Sequence, residues 1–150
     1  MGGGTFDVSV VNVRKNKQTL KKQFQVLGVG GDTRLGGEDF TNMLADKLLE
    51  DSGLTEAIKV SPNDDDETRK KKRFARKKVY KDSERVKNDL SVNYDSGVYI
   101  DIIDGNNIET SVSRDQFEEL IQPEVEKSIN FVKETLSRIG MHNENKIDGK

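Results

Sequence analysis

The sequence predicts a mixed α/β protein of the α+β kind, in which hairpins and helices form successive blocks. Three observations predict it. Residues 5–13 and 20–29 carry apolar residues at strand-like intervals, and residues 97–112 do so again about a central turn. Phe40, Met43, Leu44 and Leu48 fall at i, i+3, i+4 and i+8, which is one face of a helix. Two longer helical stretches, about 64–91 and Ser113 to Gly140, follow in the same chain.

The bulk properties bound what such a protein does. Its 150 residues make one domain or two small subdomains, and 32% hydrophobic against 35% charged residues allow a modest core. Absence of cysteine excludes disulfides and thiolate metal sites and fits a reducing compartment. No apolar run approaches the roughly 18 residues of a membrane span, and glycines after Met1 predict no secretory signal. A net charge of −2 predicts no bulk attraction to nucleic acid or to an anionic membrane. The single histidine, His142, sits in a polar tail and reads as a solvated residue.

The first element opens on Gly2-Gly3-Gly4-Thr5-Phe6-Asp7-Val8-Ser9. Glycine backbones approach ligands closely, and successive N–H groups in such a turn converge on an anion. Thr5 and Asp7 lie two residues apart, so they share one side of the strand and set a hydroxyl and a carboxylate beside a phosphate-sized space. A flexible leader is the competing reading. Phe6, Val8 and Val10 alternate with Asp7 and Ser9, while Val11 and Val13 interrupt the polar side, which predicts a far end covered on both faces. Arg14-Lys15-Asn16-Lys17-Gln18 is a polar turn, and Phe24, Val26 and Val29 belong to the returning strand of an antiparallel hairpin. Two strands are marginal in water and leave an exposed edge.

Two glycine pairs then bracket a polar loop, Gly30-Gly31 and Gly36-Gly37. Glu38 and Asp39 suit the first turn of the helix that carries Phe40, and a glycine pair at that point is either an anion site or a tight corner. The helix ends near Asp51 with Gly53 beyond it. Residues 52–66 read as a connection and subdomain boundary. Asp64, Asp65, Asp66 and Glu67 begin the long helix, and nine Lys or Arg follow between Arg69 and Lys81. That run reads as a solvated flank balanced by the preceding acids, with a nucleic-acid patch as the alternative.

Further along this helix, Val79, Ser83, Val86 and Leu90 face inward. Glu84, Lys87, Asn88 and Ser91 form a polar stripe, able to hydrogen-bond a ribose and a base edge or to serve as plain surface. Val98, Ile100 and Ile102 alternate before Asp104-Gly105-Asn106, and Ile108, Thr110 and Val112 alternate after it. Ser113 and Gln116 make a capping box. Phe117, Leu120, Ile121, Val125, Ile129, Val132 and Leu136 form the last helical stripe, which Pro123 is expected to kink or split and Gly140 to end.

These pieces, in this order, resemble the heat shock protein 70 (DnaK-type) chaperone family. Gly2-Gly3-Gly4-Thr5-Phe6-Asp7-Val8-Ser9 is similar to its second phosphate-binding hairpin, and Gly31-Asp32-Thr33-Arg34-Leu35-Gly36-Gly37-Glu38-Asp39-Phe40 to its next signature. Glu84-Arg85-Val86-Lys87-Asn88-Asp89-Leu90-Ser91 resembles its adenosine-binding helix, and Phe117-Glu118-Glu119-Leu120 the helix after its hairpin. Actin-like filament proteins and sugar kinases carry glycine turns like the first motif, whereas the first two motifs together are specific.

The resemblance implies an actin-like ATPase (ribonuclease H-like) fold, in part: lobe II of the nucleotide-binding domain. Residues 1–51 would start its inner subdomain, 52–140 form the outer one, and 141–150 return to the inner one. By matching positions, Gly3, Gly4 and Thr5 would touch ATP or ADP phosphates, and Asp7 would lie near Mg2+ and K+. Gly36 and Gly37 would line the cleft; Glu84, Lys87, Asn88 and Ser91 would face the adenosine. The family usually has arginine where Asn88 stands, so stacking on the base would be weakened. Nucleotide-exchange factors, J-domain co-chaperones and unfolded client peptides are the implied partners, without nucleic acid or membrane, and the cytoplasm the expected location, with ER or organelle as alternatives.

No counterpart of lobe I, of the second adenosine loop or of the peptide-binding domain stands in the sequence. The expectation is a fragment of an ATP-dependent chaperone of protein folding and stress response, contributing half a cleft and inactive by itself. Thr5 and Asp7 are its phosphate-side and metal-side candidates. The alternatives are an inactive module bound by exchange factors, or a truncated gene relic. Limited proteolysis is expected to spare about 55–140.

Overall fold

The computed structural model describes residues 2–16, 20–103 and 105–141. Lys17 and Gln18 of the first turn, Asp104 of the second, and the tail with His142 lie outside the described residues. The order of elements is β1 (Phe6–Lys15), β2 (Lys22–Asp32), α1 (Gly37–Asp51), α2 (Thr55–Ile58), α3 (Asp66–Asp89), β3 (Asp95–Asp101), β4 (Asn107–Ser113) and α4 (Arg114–Arg138). This is the mixed α/β class expected, with two separate two-stranded antiparallel sheets. The chain forms two compact units, 1–37 with 123–150, and 38–122.

In the first unit β1 pairs with β2, Phe6 opposite Asp32 and Asp7 opposite Gly31. Val10 faces Gly28 but Val11 faces Val26, so Leu27 is an extra residue and the ladder bulges there. Phe6, Val8 and Val10 are half-buried, while Asp7 and Ser9 are exposed. The same unit holds the end of α4 and Ile139. A Cβ on Gly28 would lie 2.8 Å from Ile139 Cγ2, and one on Gly30 would collide with Thr135. These glycines let helix and sheet backbone approach.

The opposite face of the hairpin is bare. Val11 is 41% exposed, Val13 53% and Phe24 69%. The expectation that the far end of β1 is covered on both faces is therefore corrected: the helix lies against one face, and within the described chain no second layer reaches the other.

The second unit carries the core. Leu44, Ala45, Leu48 and Leu49 of α1 pack with Ala75, Val79 and Val86 of α3, Val98 and Ile100 of β3, Ile108 and Val112 of β4, and Phe117 of α4. Side chains alternate inward along β3 as Ser96, Val98 and Ile100. Residues 52–66 are not all connection: the short α2 forms there and buries Ile58. An i, i+4 pair, Leu54 and Ile58, is the signal for it.

The caps follow from local chemistry. Asp65 accepts from the Thr68 N–H at 2.7 Å as N-cap, so α3 starts at Asp66 rather than 64. Asp64 instead accepts from the Ser61 N–H at 2.7 Å and from Lys72 at 3.0 Å. Both carboxyls are held below the usual carboxylate value: Asp64 first by the Ser61 N–H and then Lys72, Asp65 first by the Thr68 N–H. The capping box forms as read, with Ser113 N–H donating to Gln116 Oε1 at 2.9 Å and Gln116 N–H to Ser113 Oγ at 3.2 Å. Pro123 does not split α4, which runs unbroken to Arg138. A proline costs one i→i−4 bond and crowds one carbonyl, and the rest of a 25-residue helix holds across it.

Candidate functional site

The glycine turn is ordered by its own backbone. Gly2 N–H donates to Thr5 O at 2.8 Å, and Gly2 O accepts from Gly37 N–H at 3.0 Å. The second contact joins two glycine motifs that lie 35 residues apart (37 − 2). Gly36 is buried against the first turn so closely that a Cβ there would stand 2.5 Å from Gly3 O and 2.7 Å from Gly4 N. Any other residue at position 36 would push this backbone apart. Gly3, Gly4, Thr5, Gly36 and Gly37 are thus neighbours in one unit.

The strands that lead into the turn explain its shape. Gly31 has φ +148°, and a Cβ there would strike Phe6 O. Only glycine allows this conformation beside the start of β1. Arg34 N–H donates to Asp32 Oδ1 at 2.8 Å, a local turn that directs the chain toward Gly36. Leu35 is buried next to it and anchors the loop. Thr5 and Asp7 remain exposed beside the turn. Among the described residues no group of three or more His, Asp or Glu is arranged to hold a metal ion.

The polar stripe belongs to the second unit. Lys87 Nζ donates to Thr41 Oγ1 at 2.7 Å, fastening α3 to the start of α1. Thr41 is 0% exposed. Ser91 Oγ donates back to Lys87 O at 3.3 Å, and Glu84 and Asn88 are exposed. Tyr80 extends the stripe. Its phenol is pushed above the usual 10.0, first by burial and then by the charges of Glu38 and Glu84; a hydrogen bond with Thr41 opposes the shift. It stays protonated at neutral pH.

Thr41 and Tyr80 are the two residues that sequence reasoning missed. Tyr80 was legible, since 80, 84, 87 and 91 recur at i, i+4, i+7 and i+11. Thr41 carried a weaker signal, a polar residue in a helix turn whose neighbours are apolar.

The family model described as Hsp70 protein matches residues 1–148. The chain is 36% identical over 129 residues to the chaperone protein HscA homolog of Mannheimia succiniciproducens, covering 86% of this chain and 17% of that one. It is 33% identical over 146 residues to the heat shock 70-related protein 1, mitochondrial, of Leishmania major, covering 94% and 21%. With the chaperone protein DnaK of Anaplasma marginale it shares 30% over 148 residues, covering 99% and 21%. The chain spans about a fifth of the length of these relatives.

Proposed function

The chain belongs to the Hsp70 protein family, and on that premise we propose that it contributes phosphate-binding and adenosine-binding residues to an ATP cleft of a chaperone. Its two small antiparallel sheets and its helices make up a partial Hsp70 nucleotide-binding ATPase domain, of the actin-like kind. The observation that carries the proposal is the close approach of Gly36 to Gly3 and Gly4. Two distant glycine motifs are held this tightly in one turn, and glycine-rich turns suit phosphate oxygens.

In this reading Gly3, Gly4 and Thr5 hold the phosphates of ATP or ADP, and Gly36 and Gly37 line the cleft. Mg2+ takes most of its ligands from phosphate and water, so one nearby carboxylate, Asp7, suffices, and K+ would occupy the same region. Glu84, Lys87, Asn88 and Ser91 serve the adenosine; Asn88 offers amide hydrogen bonds and no stacking plane. Nucleotide-exchange factors, J-domain co-chaperones and unfolded client peptides are the proposed partners. The cytoplasm is the proposed location, although one relative is mitochondrial by name. Among the described residues no helix is long and apolar enough to cross a membrane.

The test is an amide NMR titration of the 150-residue chain with Mg–ATP. Shifts are expected at residues 3–7 and 36–37, and Thr5→Val is expected to weaken binding by about tenfold, as loss of a hydrogen bond to a charged group does. Shifts that spare both glycine motifs while appearing elsewhere would overturn the proposal.

A further inference from the structure

We propose that the outer face of α3 is a docking surface for a short acidic polypeptide segment that brings one apolar side chain. Lys70, Phe74, Lys77 and Lys81 recur at i, i+4, i+7 and i+11, which is a single straight stripe. At 1.5 Å per residue it is about 16 Å long. It lies on the opposite side of the helix from Ala75, Val79, Ser83 and Val86, which are buried. Arg73 and Lys78 flank it.

The nine cations of α3 between Arg69 and Lys81 fall into two sets. Arg69, Lys71, Lys72 and Arg76 have partners in Asp66, Glu67, Asp64 and Asp46. The side chains of Lys70, Arg73, Lys77, Lys78 and Lys81 make no ion pair or hydrogen bond among the described residues. Arg73 with Lys77, and Lys77 with Lys81, are like charges at i, i+4, an arrangement that lowers helix stability. An anion laid along the stripe relieves that repulsion. Phe74 stands in its middle, 68% exposed, and offers apolar area that water alone does not favour.

The face selects a short peptide over a nucleic acid. Glu67 and Glu84 lie on the same helical line, three residues beyond Lys70 and Lys81, and close the stripe at both ends. A continuous phosphate backbone would run onto those carboxylates. One ring makes no stacking platform, whereas one apolar side chain of a peptide covers it. A peptide helix with carboxylates at i, i+7 and i+11 and an apolar residue at i+4 matches the stripe, the carboxylates on Lys70, Lys77 and Lys81 and the apolar residue on Phe74. This inference uses residues outside those proposed for the nucleotide, Glu84 as a boundary excepted, and does not rest on that reading.

The experiment is fluorescence anisotropy with the whole 150-residue chain. The probe is a fluorescein-labelled 14-residue helical peptide with glutamates at that spacing and one central leucine. Its Leu→Ala form and a 20-base-pair DNA duplex are the comparison probes. Binding that weakens with added salt is expected. Lys77→Glu with Lys81→Glu is expected to lower affinity by about tenfold or more. Phe74→Ala is expected to weaken the leucine peptide several-fold and to leave the alanine peptide unchanged. All the altered side chains are exposed, and circular dichroism verifies that the variants fold. Absence of peptide binding, or binding unchanged by both sets of substitutions, overturns the proposal. So does a duplex that binds as tightly as the leucine peptide and ignores Phe74→Ala, which would mark a general polyanion patch.

Discussion

At Tyr80 a phenol is held where its charged form is disfavoured, by burial and by Glu38 and Glu84. A folded-state pKa raised above the unfolded value means that the folded chain keeps the proton longer. Its contribution is fully present below about pH 10, the unfolded value, and is lost as pH rises through the folded value. The expected outcome is that alkaline destabilisation above pH 10 is smaller in Tyr80→Phe than in the parent. Urea midpoints at pH 7 and pH 10.5 measure it; an equal loss in both proteins would show that Tyr80 does not couple to folding. At Lys87 the bond to buried Thr41 fixes an ammonium that would otherwise roam on four rotatable bonds. That preorganisation is what a ligand contact at Lys87 would draw on.

Among the elements, α4 has the best-defined start. Ser113 and Gln116 satisfy each other's backbone N–H groups. Ser113→Ala removes one half of the box and is expected to cost about 0.5–2 kcal/mol in urea unfolding. Adding Gln116→Ala should then cost less than its own single effect, since the two bonds act as a unit. A fully additive double variant would mean that the two caps work independently. The β1–β2 hairpin shows the other extreme. Phe24 is largely exposed, so Phe24→Ala is expected to change stability by no more than about 0.5 kcal/mol. Ile100→Ala, at a side chain 0% exposed in the core of the second unit, should cost about 2–5 kcal/mol. Similar costs at the two sites would contradict the exposure difference.

For the whole molecule the two units carry different amounts of core. The 38–122 unit contains the continuous hydrophobic cluster, while the hairpin presents Val11, Val13, Phe24, Val26 and Val29 to solvent. Few buried contacts imply low local opening free energy. Limited proteolysis is therefore expected to begin in β1 and β2 and to end within 38–122. Mass spectra showing early cleavage in α3 or β3 instead would count against that order. For activity, phosphoryl transfer depends on positioning and on charge stabilisation by metal and cations. A glycine turn with one carboxylate supplies little of that. The purified 150-residue chain is expected to release phosphate from Mg–ATP no faster than buffer does, and metal-dependent turnover in a phosphate assay would refute this.

Periodicity alone located both hairpins and the three long helices, because strand alternation and the helical stripe are local properties of the chain. It also marked the Ser113–Gln116 box and the stripe from Glu84 to Ser91. The far end of β1 was misread for the same local reason: Val11 and Val13 look like core residues, and whether a layer covers them depends on what else the chain brings there. The contact of Gly36 with Gly3 and Gly4, and the Lys87–Thr41 bond, join residues far apart in sequence. The glycine pairs were visible as motifs, but their meeting was decided by the pairing of β1 with β2 and the turn after Asp32. Tertiary packing likewise brought Asp46 to Arg76 and Asp64 to Lys72, because an ion pair needs a partner within about 4 Å, whereas Arg69 and Lys71 pair along the helix with Asp66 and Glu67 at spacings already present in the sequence.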